Sequence, residues 1–308
     1  MKTDSIAPLI SVIIPTFNRG KIILDAINSV LNQTYKKYEL IVVDDGSTDN
    51  TFEVLNNLIA NGSITFLKQT NKGPAAARNA GVMISKGEYI AFLDSDDLWL
   101  PVYLEIMLNS LSQAPKRVGI VYSNCYNFNP DTKEIFVRYP SRTLHEGNLE
   151  KRFLFRRQHV YHGAMMIRKS VFLEIGGYDE YFRRIEDREF NYRVSKICEF
   201  HAIKKPLVII RLHGVENNKD PDDIIEYDKQ VSIYDQKMLE KILKDKNITS
   251  SSIFLKKRIL SRYYYVWGKG LYMNHFLQSS LKYLTKSVFS NVFNFRGWYF
   301  LIKVLLNR

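Results

Sequence analysis

Cysteine is nearly absent from this 308-residue chain, which has only Cys125 and Cys198, far apart and in no CxxC pair. That leaves neither a disulfide framework nor a cysteine-ligated zinc site to expect, and it fits a reducing, cytoplasmic setting. Long apolar runs are missing as well. No stretch reaches the ~18 residues of a membrane span, and the apolar run in MKTDSIAPLISVIIPTF is too short for the core of a signal peptide. Neither export nor a membrane span is therefore expected. There is no GxxxxGK[ST] loop and no GxGxxG after a strand, which argues against a P-loop ATPase or a dinucleotide enzyme. The last absence is regional: from Lys246 to Arg308 there are 11 Lys or Arg and no Asp or Glu. The other 245 residues hold 33 basic against 32 acidic side chains, so the net charge of +12 belongs almost wholly to the tail.

What is present divides the chain in two. Up to about residue 220, short β-branched runs alternate with helical periodicity: LISVIIPTF, YELIVVDD, SITFLKQ and GEYIAFLDSDD read as strands. The segments after them, including TFEVLNNLIANG, PAAARNAGVMIS and LPVYLEIMLNSL, read as helices. Such alternation predicts parallel βαβ units in an α/β fold. Beyond that point the chain reads as mostly helical, with a mixed-charge helix over DIIEYDKQVSIYDQKMLEKILKD. Two or three helices broken near Gly268 and Gly270 follow it.

Polar residues gather after the carboxyl ends of the strands: Thr16 and Asn18, Asp44 and Asp45, then Asp94, Asp96 and Asp97. In an open parallel sheet these ends share one edge, where ligands bind. Capping accounts for single residues, such as Thr48 or Asp49 before FEVLNNL and Asp97 before LWLPVYL. It accounts less well for DSDD, whose three carboxylates repel unless a cation or proton intervenes. A divalent ion that completes its shell with substrate phosphates meets that need.

The strings VIIPTFNR, ELIVVDDGSTDNT, NKGPAAARNAG, YIAFLDSDDLW, HGAMMIRKSVFLEIGGYDE and IEDREFNYRV, in this order, resemble the family 2 glycosyltransferases with the GT-A fold, over roughly residues 9 to 215. The resemblance implies a Rossmann-like GT-A domain over 1–220, with a nucleotide-sugar half at about 1–100 and an acceptor half at about 101–220. The helical region, 221–308, follows it. It also implies an inverting, metal-dependent transfer from a nucleotide-sugar, UDP favoured, to an acceptor hydroxyl in cell-surface polysaccharide or glycolipid synthesis. By resemblance Asp45 and Thr16 belong to the base pocket, Arg78 to the nucleotide and Asp94 to the ribose. Asp96 and, in some members, a histidine matching His213 are metal ligands for Mn²⁺ or Mg²⁺, and Asp187 is the general base with Glu186 beside it.

Blander readings stand beside these. Glu186, Asp187 and Glu189 suit the first turn of a helix. Arg152, Arg156 and Arg157 suit a solvated helix face as well as an anionic acceptor. His145, His159, His162 and His201 show no ligand spacing and read as surface or loop histidines. In the tail, lysine and arginine interleaved with 14 aromatic residues suit an anionic membrane surface on the inner face of the cell membrane, and equally a helical appendage packed on protein or on a second copy. The acceptor implied is a saccharide or lipid-linked saccharide. A nucleic-acid-binding module is disfavoured by the confinement of charge to the tail, a nucleotidyltransferase by the lack of a glycine-rich basic loop in VIIPTFNRGK, and a non-catalytic relative by Asp45, Asp94, Asp96 and Asp187.

Overall fold

The computed structural model describes residues 9–212, 221–273 and 276–306, the side chains of 221–232 excepted. The chain forms two compact units, Met1–Glu150 with Gln158–Asp220, and Lys151–Arg157 with Pro221–Arg308. The excursion Lys151–Arg157 falls inside the segment expected to be the acceptor half. It is tied to the second unit by Arg156, whose Nη1 donates to Asp235 Oδ2 at 2.9 Å, and by Arg262, which donates to the carbonyls of Phe155 and Arg156.

The first unit runs β1 (Ile10–Thr16), α1 (Ile23–Leu31), β2 (Tyr38–Asp44), α2 (Thr51–Ala60), β3 (Thr65–Lys68), α3 (Pro74–Ile84), β4 (Tyr89–Phe92), β5 (Leu98–Trp99), α4 (Tyr103–Gln113), β6 (Val118–Phe128) and β7 (Ile135–Val137). After α5 (Glu150–Leu154) come β8 (Met165–Arg168), α6 (Lys169–Glu174), α7 (Glu186–Val194) and β9 (Glu199–Arg211). The strands make one sheet in the order β3-β2-β1-β4-β8-β6-β9-β5, with β7 paired to β6. The first four are mutually parallel, as the strand–helix alternation predicts, while β8 runs antiparallel between β4 and β6.

Period-two alternation positions both faces. Ile10, Val12 and Ile14 of β1 join a core with Ile23, Ile27 and Val30 of α1 and Tyr103, Met107 and Leu111 of α4. Ile13 points the other way, toward α3, where a Cβ on Gly81 would come within 2.6 Å of it. Glycine there lets α3 lie close on the sheet. Asp97 was expected as the cap of the next helix. Instead Leu98–Trp99 pairs with β9, and α4 starts only at Tyr103 after Val102, so Asp97 is released for another task.

In the second unit α8 (Pro221–Lys244) and α9 (Lys246–Thr249) precede α10 (Ile253–Met273), α11 (Leu277–Ser290) and α12 (Phe295–Leu306). Gly268 and Gly270 do not break a helix, contrary to the sequence expectation, because α10 runs through both. At Gly268 the missing side chain serves packing: an added Cβ would be 2.7 Å from Leu284 Cγ of α11, and Ser280 Oγ donates to the Gly268 carbonyl at 2.7 Å. Tyr265, Leu284, Val288, Leu301 and Val304 form the core of α10, α11 and α12. Among the described residues no helix is long and apolar enough to cross a membrane.

Candidate active site

The parallel register that pairs Thr16 with Asp44 places the ends of β1 and β2 side by side, with Leu93 donating its backbone N–H to the Ile13 carbonyl one strand over. Thr16 is buried, and its Oγ1 has no hydrogen-bond partner among the described residues. A buried hydroxyl left in that condition is costly unless a ligand or water meets it. Asp44 is committed to its own loop, and Asp45 to the loop between β3 and α3. Asp44 Oδ1 accepts from the Ser47 N–H at 2.9 Å. Asp45 Oδ1 accepts from Gln69 Nε2 (2.7 Å) and the Lys72 N–H (2.9 Å), and its Oδ2 from the Gly73 N–H (2.8 Å). Gly73 has φ of 95°, a conformation open to glycine, so Asp45 fastens the turn that launches α3.

Arg78, buried on α3, joins two distant segments. Nη2 donates to Asp94 Oδ1 at 2.7 Å and Nη1 to Glu186 Oε1 at 2.8 Å, and the guanidinium lies over the Tyr178 ring. A guanidinium fork is the side chain suited to two carboxylates in fixed geometry. Burial pushes the Glu186 carboxyl upward, with the neighbouring Asp187 charge adding to it and Arg78 opposing it.

The DSDD carboxylates are unequal. Asp94 Oδ2 accepts from the Tyr161 hydroxyl at 2.6 Å, and the same hydroxyl meets Asp97 Oδ2. One phenolic proton cannot serve both oxygens. Asp97 is almost wholly buried, and burial, then the charges of Asp94 and Asp96, raise its carboxyl well above the usual range. The Tyr161 hydroxyl bridges the two carboxylates, and the Asp97 carboxyl is pushed toward its neutral form. Its other oxygen accepts from the Arg211 N–H at 3.0 Å. Asp96 stands 3.5 Å from the half-exposed Arg19 guanidinium.

Asp187, second residue of α7, is paired with His159, whose Nε2 is 2.9 Å from Oδ2. Burial works against its charge, but the His159 hydrogen bond and the positive potential of His159 and Arg188 prevail and bring the carboxyl well below its ordinary range. His162 is buried, its Nδ1 2.7 Å from the Tyr178 hydroxyl, and burial lowers it to about 3, so it is neutral. The histidines at 159 and 162 were expected as surface or loop residues. His162 is instead in the core between Tyr178 and Phe190, and His159 binds the carboxylate read as the base. His201 pairs with Glu146 and keeps a largely exposed ring.

Segment 159–163 is held from both sides: Trp99 Nε1 donates to the Gly163 carbonyl (2.7 Å) and Asn191 Nδ2 to the Val160 carbonyl (2.9 Å). Glu189 takes a structural part, accepting from Arg193 Nε at 2.6 Å while Arg193 donates to the carbonyls of Ile175 and Gly177. Gly176 and Gly177 have φ of 77° and 68°, in the left-handed region that favours glycine.

Of the residues singled out by sequence, Arg78, Asp94 and Asp187 are thus drawn together through Glu186 and Tyr161, whereas Asp45 binds the loop between β3 and α3. His213 lies outside the described residues. Tyr161, His159 and His162 escape sequence reasoning. Their signal, three polar rings in QHVYHG, has no fixed spacing to the carboxylates they serve. Among the described residues no group of three His, Cys, Asp or Glu is arranged to hold a metal ion. Asp94 is engaged by Arg78 and Tyr161, and Asp97 by Tyr161 and the Arg211 N–H, so the remaining carboxylate of DSDD is Asp96, beside Arg19. That sparse set fits an ion that draws its other ligands from phosphate and water.

In this mixed α/β sheet the strand-end carboxylate Asp94 and the acidic pair Glu186 and Asp187 of α7 meet around Arg78. Residues 11–176 match the model of glycosyl transferase family 2. The chain belongs to that family and is a glycosyltransferase of GT-A architecture with a C-terminal helical region. An uncharacterized glycosyltransferase of Rickettsia prowazekii is 28% identical over 265 residues, 83% of each chain. The chondroitin synthase of Pasteurella multocida is 33% identical over 67% of this chain, which spans only 21% of that longer protein. Among solved structures, S. aureus TarS 1-349 in complex with UDP-GlcNAc shares the fold, with a TM-score of 0.62 at 17% identity over 96% of this chain and 88% of that one.

Proposed function

We propose that the protein is an inverting transferase that moves a sugar from a UDP-sugar to a hydroxyl of a saccharide or lipid-linked saccharide during cell-surface polysaccharide or glycolipid synthesis. The observation that carries this is the convergence through Arg78 of the Asp94 strand end with Glu186 and Asp187. The solved complex of TarS with UDP-GlcNAc and the naming of a relative as chondroitin synthase support the donor and product class.

In this reading the unpartnered Thr16 hydroxyl and the strand-end loop fastened by Asp45 receive the nucleoside. Asp94, oriented by Arg78 and Tyr161, accepts from a ribose hydroxyl. Asp96 would hold Mn²⁺ or Mg²⁺, with His213, which lies outside the described residues, as the second ligand that the resemblance implies. When bound, such an ion would supply positive charge to the departing diphosphate. Asp187, kept ionised by His159, takes the proton of the attacking hydroxyl. With one base and attack on the face opposite the leaving diphosphate, the anomeric centre inverts, by the logic that separates inverting from retaining glycosidases. The basic, aromatic tail places the enzyme on the inner face of an anionic membrane as a peripheral protein.

Calorimetric titration of UDP, dTDP, GDP and CMP with and without Mn²⁺ tests the donor site. UDP is expected to bind with metal, and Asp96→Ala to bind at least tenfold more weakly under the same conditions. UDP binding of equal strength without metal contradicts the role of Asp96.

A pH profile tests the pairing of His159 and Asp187. Because the partner lowers the Asp187 carboxyl, removing it in His159→Ala raises that group, and the acid limb of kcat/KM moves to higher pH. The stability this pairing contributes is present above the ordinary carboxylate value and is lost as pH falls through the depressed one. The variant is therefore less stable than the parent at neutral pH and converges with it in strong acid. An acid limb at the parental position excludes His159 as the group that sets it.

A further inference from the structure

The second unit contains a cavity of about 700 Å³ that is separate from the residues described above. Arg157, Arg258, Arg262 and Arg296 line it, with Ser261 and Asn294 among its polar atoms and no acidic side chain among the described residues of its wall. None of the four guanidiniums is in an ion pair among the described residues, unlike neighbouring Arg156, which Asp235 neutralises. Four uncompensated cations around one space repel one another, an arrangement that an anion would relieve.

The guanidiniums are ordered without carboxylates. Arg262 donates from Nε to the Phe155 carbonyl at 2.9 Å and from Nη2 to the Arg156 carbonyl at 3.2 Å. Arg258 lies over the rings of Phe155 and Phe254, and Arg157 over Phe155. Stacking on aromatic faces presents planar N–H donors in fixed directions, which suits the oxygens of a phosphate. Asn294 Nδ2 donates to Ser261 Oγ at 3.0 Å and Ser287 Oγ at 2.9 Å, which makes the polar side of the cavity a connected network. Burial, then the nearby charges of Arg157, Arg156 and Arg296, weaken the hold of Arg262 on its proton, a further mark of unbalanced positive potential.

The surroundings select among phosphate-bearing ligands. Phe254 and Phe293 of the cavity wall are mainly exposed, and Phe289, Val292 and Phe295 nearby in the chain are 79%, 57% and 77% exposed. α12, whose second residue is Arg296, buries Leu301 and Val304 yet leaves Trp298, Tyr299, Ile302, Leu305 and Leu306 open. A soluble phosphate needs no such apolar border. An anionic surface with an acyl layer beneath it complements both the guanidiniums and the exposed rings.

We infer that this cavity is a binding site for the phosphodiester headgroup of an anionic phospholipid, flanked by aromatic and aliphatic side chains that enter the lipid interface. It rests on the membrane placement proposed above and gives that placement a defined ligand site; it does not depend on the transfer chemistry.

The test is co-sedimentation of the full chain with vesicles of phosphatidylglycerol mixed into phosphatidylcholine, and with phosphatidylcholine alone. The parent is expected to bind the anionic vesicles and leave the zwitterionic ones. Arg258→Gln with Arg296→Gln, both on exposed side chains, is expected to weaken binding roughly twentyfold to thirtyfold, since each basic side chain near an anionic surface is worth about a factor of five. Phe293→Ser with Phe295→Ser is expected to weaken it as well while leaving UDP binding unchanged. Failure of the parent to bind anionic vesicles overturns the membrane placement and the site together. Parental binding that persists unchanged in the double glutamine variant overturns the site alone. Displacement from vesicles by millimolar glycerol phosphate at constant ionic strength would show a reader of soluble phosphate and overturn the lipid assignment.

Discussion

Asp187→Asn is expected to lower kcat by about 10²- to 10⁴-fold, the usual contribution of a positioned general base, while the affinity for UDP stays within about twofold of the parent. The substitution keeps the shape of a side chain that meets His159 and the Arg188 N–H, and removes its capacity to take a proton. Single-turnover transfer and calorimetric UDP binding on the same preparation separate the two effects. Parental turnover by Asp187→Asn would refute the base assignment. A matched loss of binding and turnover would mean that the carboxylate organises the donor site instead.

Arg78→Ala has the largest expected effect on stability. The change removes a buried guanidinium from between Asp94 and Glu186 and leaves both carboxylates, with Asp187 next in sequence, facing one another without a cation. Breaking a buried pair from one side costs about 3–5 kcal/mol, which for a unit of this size lowers Tm by about 10 °C. Turnover falls too, because Asp94 loses its orientation. Arg78→Lys restores part of the stability and less of the activity, since one ammonium keeps the charge but lacks a fork that spans both carboxylates. Thermal melting of the three proteins provides the ranking. An alanine variant as stable as the parent would mean that Asp94 and Glu186 find other partners.

Much of the first unit was legible from local pattern alone. The β-branched runs ending in Thr16, Asp44 and Phe92 and the helical spacing after them are local properties, and a parallel sheet necessarily brings such strand ends to one edge. The carboxylates of FLDSDDLW were visible for the same reason. What followed Asp97 was not: Leu98 and Trp99 pair with β9 more than a hundred residues later, a non-local choice that deprives α4 of its expected cap. The tail shows the opposite error. Gly268 and Gly270 carry a breaking propensity of about 1 kcal/mol each, and close packing of α10 on Leu284 outweighs it.

By itself, then, the amino-acid sequence determined the parallel α/β plan, the acidic strand edge, the membership in a glycosyltransferase family and the segregation of positive charge into a helical tail. These follow from spacing within a few turns or strands. Tertiary structure alone decided the partners of these carboxylates. It committed Asp45 to the loop between β3 and α3, buried Asp97 against Tyr161, set Arg78 between Asp94 and Glu186, and turned His159 onto Asp187. It also assembled Arg157 of an inserted segment with Arg258, Arg262 and Arg296 around one cavity. Protonation and pairing depend on burial and on distances between residues remote in the chain, and a one-dimensional pattern carries neither.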